Sequence, residues 1–158
     1  MVVETEAYSA TNDEAAHTFT RPSARSFIER NRAGAAYVYF NYGVHWMLNV
    51  LVKGGATDGF VLIRALQPHR GISLMRKRRG IENEKRLCSG PGKLTKALDV
   101  TGRHHEIDLC RDPRHCFTRG ASTGEVVASR RVGITRSADF PWRFTLRDSP
   151  FVSRPVDL

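Results

Sequence analysis

The chain has 158 residues, enough for one domain with a full core and too few for two comfortable ones; an apolar fraction of 41% excludes a disordered tail. No apolar run approaches a membrane span and no charged-then-apolar leader follows Met1, so an intracellular protein is expected, away from membranes. Twenty-five Lys and Arg against 16 Asp and Glu leave a net charge of +9, which favours a polyanionic partner, nucleic acid first.

In chain order, Val2 to Tyr8 alternates as a strand does, with Val3, Thr5 and Ala7 on one face and Glu4, Glu6 and Tyr8 on the other. Ser9 to Ser23, rich in Thr, Asn, Asp and Ser, reads as a loop holding one helical turn over Asp13 to His17. Ala24 to Arg32 reads as a short helix or loop. Ala36 to Val52 holds two β-rich runs around Asn41-Tyr42-Gly43, where Gly43 supplies the positive φ of a tight hairpin turn. Phe60 to Leu66 is a further strand, and together these suggest an antiparallel meander. Gly71 to Arg79 is helical and strongly basic. In SGPGKLTKALDV, Ser89 is the expected cap, Pro91 sits near the helix start, and Leu94, Ala97 and Leu98 have helical spacing. Thr101 to Gly124 reads mostly as loop, and Glu125 to Ile134 and Trp142 to Arg147 as strands. No repeat or low-complexity segment interrupts the single domain.

Three features suggest chemistry. Tyr37 and Tyr39 share a strand face, and Tyr42 lies at the hairpin tip. There it is either a wedge for a base stack or a ring folded back on the sheet, the second being commoner. Glu6, on a strand beside aromatic residues, is either a general base for water or an ordinary solvated carboxylate, as Glu4 is expected to be. SGPGKL offers backbone N–H groups near Gly92 and the charge of Lys93 to a phosphate, without the spacing of a nucleotide-hydrolysing loop; otherwise it is a well-capped helix. His104, His105, Cys110, His115 and Cys116 lack the ligand spacing of a zinc site, so no metal or other cofactor is expected, and three cysteines without a secretion signal imply reduced thiols. Stacking rings, a wedge, a phosphate perch and a basic surface agree on nucleic acid and on extrusion of a base.

VVETEAY, DEAAH, YVYFNYGVHWMLNV, VLIRALQP, LCSGPGKL and RVGI…PWRF…SPFVS, in this order and spacing, resemble the alkyladenine (3-methyladenine) DNA glycosylases over nearly the whole chain. The resemblance implies an α+β domain around a curved antiparallel sheet with a protruding hairpin. It also implies a monofunctional base-excision-repair hydrolase that flips alkylated or deaminated purines out of duplex DNA and cuts the N-glycosidic bond with water. It implies that Glu6 activates the water with Arg64 nearby, and that Tyr8 and Tyr39 sandwich the base. His17 closes the pocket, Asn49 excludes guanine, and Tyr42 fills the gap in the stack. Lys93 and Gly92 then meet a phosphate. The expected partner is damaged double-stranded DNA and the expected state a DNA-associated monomer, in cytoplasm or nucleoid if bacterial and nucleus if eukaryotic.

Such proteins carry a helix and a strand before ETEAY, so residues 1–158 are expected to be an N-terminally shortened domain with an unpaired sheet edge. Two other readings remain. One is a non-catalytic nucleic-acid-binding or inactive truncated relative; the other is an RNA-binding protein of ribosomal type, indifferent to Glu6.

Overall fold

The computed structural model describes residues 1–120 and 124–155. Six strands form one antiparallel sheet: β1 (Val2–Ser9), β2 (Ala36–Asn41), β3 (His45–Val52), β4 (Gly59–Leu66), β5 (Val126–Ser129) and β6 (Arg143–Leu146). Their spatial order is β2-β3-β4-β1-β6-β5, so β1 is paired on both sides, with β4 and with β6. The helices are α1 (His17–Thr20), α2 (Pro22–Arg30), α3 (Ile72–Arg79) and α4 (Pro91–Leu98). This is the α+β class expected from the sequence. Among the described residues no helix is long and apolar enough to cross a membrane.

The pleat divides the sheet into two faces. On one, Ala36, Val38, Leu48 and Ile63 pack with Leu87, Leu94 and Ala97, so that α4 and the segment before it cover an ordinary apolar core. On the other, α2 lays Ala24, Phe27 and Ile28 over Tyr37, Leu51 and Phe60. Phe27 is buried, and full burial of such a ring is worth about 1.5–3 kcal/mol. Beyond α2 this second face turns polar. One register row runs across five strands: Tyr37 opposes Asn49, Asn49 opposes Leu62, Leu62 opposes Glu6, and Glu6 opposes Arg143. Two apolar-poor positions in β1, Glu4 and Glu6, thus point inward together, with a register shift at Glu4.

The hairpin tip is an Asn41–Val44 turn closed by the Val44 N–H on the Asn41 carbonyl at 3.0 Å. Both central residues have positive φ, Tyr42 at 49° and Gly43 at 66°, the mirror-image turn that matches strand twist. For glycine this is free; for tyrosine it costs of order 1–3 kcal/mol. The ring is 93% exposed and does not fold back on the sheet.

Several boundaries differ from expectation. The helical turn expected over Asp13 to His17 instead starts at His17, because Asp13 is committed elsewhere: its carboxylate accepts the backbone N–H of Ser9 and of Ala15. The loop expected up to Ser23 ends earlier, because Pro22 opens α2 with the φ a first turn requires. Ser89 does not cap α4; Gly90 does, without a side-chain bond, and Ser89 Oγ instead lies 3.5 Å from Lys93 Nζ. The strand expected over Glu125 to Ile134 is only Val126–Ser129 long, since Arg131 and Val132 turn into the site described next. The region from Thr101 is mostly loop as far as it is described, with a short 3-10 turn at Gly102–His104; residues 121–123 lie outside the described residues.

Candidate active site

The polar end of the second sheet face holds a cavity of about 250 Å³. Tyr8 from β1, His17 from α1, Tyr39 from β2, Asn49 from β3 and Arg64 from β4 all line it, as does Tyr42 from the hairpin. Six residues singled out in the sequence therefore meet in one place, brought there by the pleat: Tyr39, Asn49, Arg64 and Tyr8 belong to the same face of four neighbouring strands.

Glu6 stands directly behind this lining with no exposed surface. Three donors hold its carboxylate. Tyr8 Oη donates to Oε2 at 2.8 Å, Arg64 Nη1 donates to Oε2 at 3.3 Å, and the Val132 N–H donates to Oε1 at 2.7 Å. A carboxylate has about four lone-pair positions. One acceptor position, on Oε1, is thus left for a further donor, and Tyr8, Arg64 and Val132 are themselves cavity walls.

The expectation that Glu4 is a solvated strand residue is wrong: it is 1% exposed. Burial alone would raise its pKa. The N–H and hydroxyl of Ser153, at 2.5 and 2.7 Å, outweigh that together with Arg64, and hold the carboxyl below its ordinary range. Arg64 Nε reaches Glu4 Oε1 at 2.8 Å and Arg143 Nε reaches the same oxygen at 2.9 Å. Arg64 therefore spans both carboxylates of β1, and Glu4 fixes the end of it that Glu6 does not.

Burial pushes the Tyr8 hydroxyl well above its usual range, with the charge of Glu6 adding to it. Burial, then the neighbouring Tyr37 hydroxyl, pushes Tyr39 up to about 12. Both walls are neutral phenols at physiological pH. His17 goes the other way, down to about 4, through burial first and the charge of Arg21 second. Its Nδ1 faces the Tyr37 hydroxyl at 3.2 Å and its ring lies 4.3 Å from that of Tyr39. A neutral imidazole keeps one N–H and one lone pair, which suits recognition of a polar ring edge. Because the folded-state pKa is depressed, His17 favours the folded state fully above pH 6.5, and stability is expected to fall as pH drops from 6.5 toward 4. A His17→Gln variant should flatten that part of a urea-midpoint against pH curve. Asn49 is buried, its Nδ2 donating to the Tyr37 carbonyl at 3.1 Å.

Lys93 and Gly92 do not line the cavity; only Pro91, at the start of α4, does. Gly92 is a glycine for a packing reason, since a Cβ there would sit 2.6 Å from the His45 ring. The histidines of the 104–116 loop are each hydrogen-bonded: His105 Nδ1 accepts the Val38 N–H at 3.1 Å, His104 bonds within its own turn, and His115 pairs with Asp112.

Sequence reading missed Asp13, Arg131, Val132, Arg143 and Ser153. Asp13 and Arg131 form a fully buried bidentate pair with contacts of 2.6 and 2.8 Å. Alternation already placed Glu4 on the face of Glu6, so its burial had a signal; these five are joined to the site only by long-range folding.

A sequence model described as Methylpurine-DNA glycosylase (MPG) matches residues 1–150. A protein of one Rhodopseudomonas palustris strain, named "Putative 3-methyladenine DNA glycosylase", is 46% identical over 98% of this chain and 74% of its own length. A second from the same species, with the same name, is 48% identical over 98% of this chain and 76% of its own. One from Nitrobacter winogradskyi, again so named, is 44% identical over 98% and 74%. With a family match across most of its length and relatives this close over nearly all of it, the chain belongs to the methylpurine-DNA glycosylase family.

Proposed function

We infer that this DNA glycosylase holds an extruded purine between Tyr8 and Tyr39 and that Glu6 directs water at its sugar. The observation that carries this reading is the carboxylate of Glu6: sealed from solvent, gripped by three donors, and left with one acceptor position beside a cavity walled by tyrosines. A module that only binds DNA has no use for a buried, oriented carboxylate there.

The chemistry follows. As the C1′–N9 bond breaks, its electron pair leaves with the base and the sugar gains oxocarbenium character. The negative charge of Glu6 stabilises that sugar. Water adds through its oxygen to C1′ and gives its proton to the carboxylate. A purine alkylated to a cation departs neutral and needs no acid, consistent with a His17 that is uncharged at neutral pH. The product is an abasic site. Neutral phenol faces attract a flat, electron-poor or cationic base, and the buried Asn49 obstructs a purine carrying an extra 2-amino group. The cavity is lined on its outer side by Tyr42, whose exposed ring is the group to occupy the place the base vacates. Lys93 and the amide of Gly92 serve the DNA phosphates flanking the site. The partner is duplex DNA bearing a damaged purine, met by a monomer where the genome lies.

The test is a duplex with one hypoxanthine, incubated with the protein and then heated in alkali. Strand cleavage at the lesion is expected, with none in the undamaged duplex; binding without cleavage would return the alternative of a non-catalytic relative. Replacing Tyr42 by Ala should lower capture of the lesion by about tenfold or more, since base stacking on an aromatic is worth about 1–3 kcal/mol. Affinity for undamaged duplex should change less than threefold. An equal loss on both duplexes would remove the wedge role.

A further inference from the structure

We propose that Arg131 is a positioning residue for this reaction, acting with Asp13 as the clamp that sets the tyrosine wall and the orientation of Glu6. The role rests on the function proposed above. Both side chains of the pair are fully buried. One guanidinium ties together three chain segments beside the cavity: β1, the turn before α1 and the loop after β5. Nη1 donates to Asp13 Oδ2 at 2.6 Å and to the Ala7 carbonyl at 3.0 Å; Ala7 lies between Glu6 and Tyr8. Nη2 donates to Asp13 Oδ1 at 2.8 Å and to the Ser137 carbonyl at 3.0 Å. Asp13 in turn accepts the N–H of Ser9 and of Ala15, which fixes the turn that delivers His17.

The plane of the guanidinium is used as well as its edges. Its carbon lies over the Tyr8 ring, 4.6 Å from the centroid, and over that of Trp142 at 5.2 Å, so both rings pack against the cation. Tyr8 lines the cavity while Arg131 and Trp142 do not, so the cation supports the wall from behind. The next residue, Val132, gives its N–H to Glu6 at 2.7 Å. Only arginine offers a flat cation with donors on two nitrogens at once. A shift at Arg131 therefore moves the ring that holds the base and the amide that aims the carboxylate together.

The experiment compares Arg131→Lys and Asp13→Asn with wild type in three measurements: single-turnover excision of hypoxanthine at saturating protein, affinity for a duplex carrying a tetrahydrofuran abasic analogue, and urea unfolding. The analogue has no base to seat, so a clamp for the wall leaves its binding alone. A misplacement of about 1 Å at a reacting group costs about a hundredfold. The expected result is an excision constant lowered by about that factor in Arg131→Lys, cooperative unfolding, and analogue affinity within about threefold of wild type. Asp13→Asn keeps an acceptor for the guanidinium and should lose less. Excision and analogue binding falling together, or excision unchanged, would overturn the role. So would two variants that fail to fold cooperatively, which would make the pair a folding determinant alone. Wild-type protein that releases neither hypoxanthine nor an alkylated purine from duplex DNA would overturn the proposed function and this role with it.

Discussion

Replacing Glu6 by Gln is expected to lower single-turnover excision of hypoxanthine by a factor of about a thousand or more, while lesion-duplex affinity stays within severalfold. The substitution preserves volume and leaves an oxygen able to accept from the Val132 N–H or from Tyr8 and Arg64. It removes the charge that stabilises the sugar and the base that takes water's proton, two effects each worth about 10²–10³-fold when measured at other sites. Losing a buried anion also leaves Arg64 less compensated, so some stability should be lost. Rates must be read at saturating protein, below the unfolding transition, for the comparison to report chemistry. A fall of less than tenfold would remove Glu6 from the reaction.

The largest structural effect is expected at Glu4. Its carboxylate accepts from Arg64, Arg143 and both the N–H and hydroxyl of Ser153. Arg143 also donates to the Arg154 carbonyl at 2.6 Å, so this one cluster docks the described C-terminal segment on the sheet. Removing one partner of a buried ion pair leaves uncompensated charge and costs about 3–5 kcal/mol. Here two arginines lose a partner, which puts Glu4→Gln at the upper end of that range. Urea unfolding at neutral pH is the measurement. The effect has a definite pH dependence. The folded-state pKa of Glu4 lies below its ordinary 4.5, so the contribution is complete above that pH and disappears as pH falls through the lowered value. The gap between wild type and variant should be widest at neutral pH and close in acid. A constant gap across that window would mean that packing, not charge, is what the substitution removes.

How much of this was legible beforehand depends on the range of the interactions. Period-two alternation placed Glu4, Glu6 and Tyr8 on one face of β1 and Tyr37 and Tyr39 on one face of β2, and the structure agrees. The tight turn at Tyr42-Gly43 followed from the glycine. The positive φ of Tyr42 itself did not, because tyrosine carries no local preference for it. Helix starts slipped where a side chain preferred a distant partner. Asp13 looked like part of a helical turn and is instead paired with a residue 118 positions away. Ser89 looked like a cap, but Gly90 occupies that place and Ser89 faces Lys93.

The same distinction governs charge. A basic chain suggests a polyanion, and a lone carboxylate in it looks solvated. Folding instead gathers Glu4, Glu6 and Asp13 with Arg64, Arg131 and Arg143, opposite charges in equal number, beneath the cavity. Pairing of this kind offsets the cost of taking charge out of water. No local pattern marks Arg131 or Arg143 as different from the many surface arginines; the sheet, which sets β6 beside β1, brings in Arg143, and the chain leaving β5 brings Arg131 to Asp13.

The most direct measurement is a crystal structure of the Glu6→Gln variant bound to a duplex with one hypoxanthine. The base is expected rotated out of the helix and lying between the rings of Tyr8 and Tyr39, with Tyr42 in the vacated stack and the sugar C1′ one water away from the side chain at position 6. A hypoxanthine still paired in the duplex, or seated against another surface of the protein while this cavity stays empty, would contradict it.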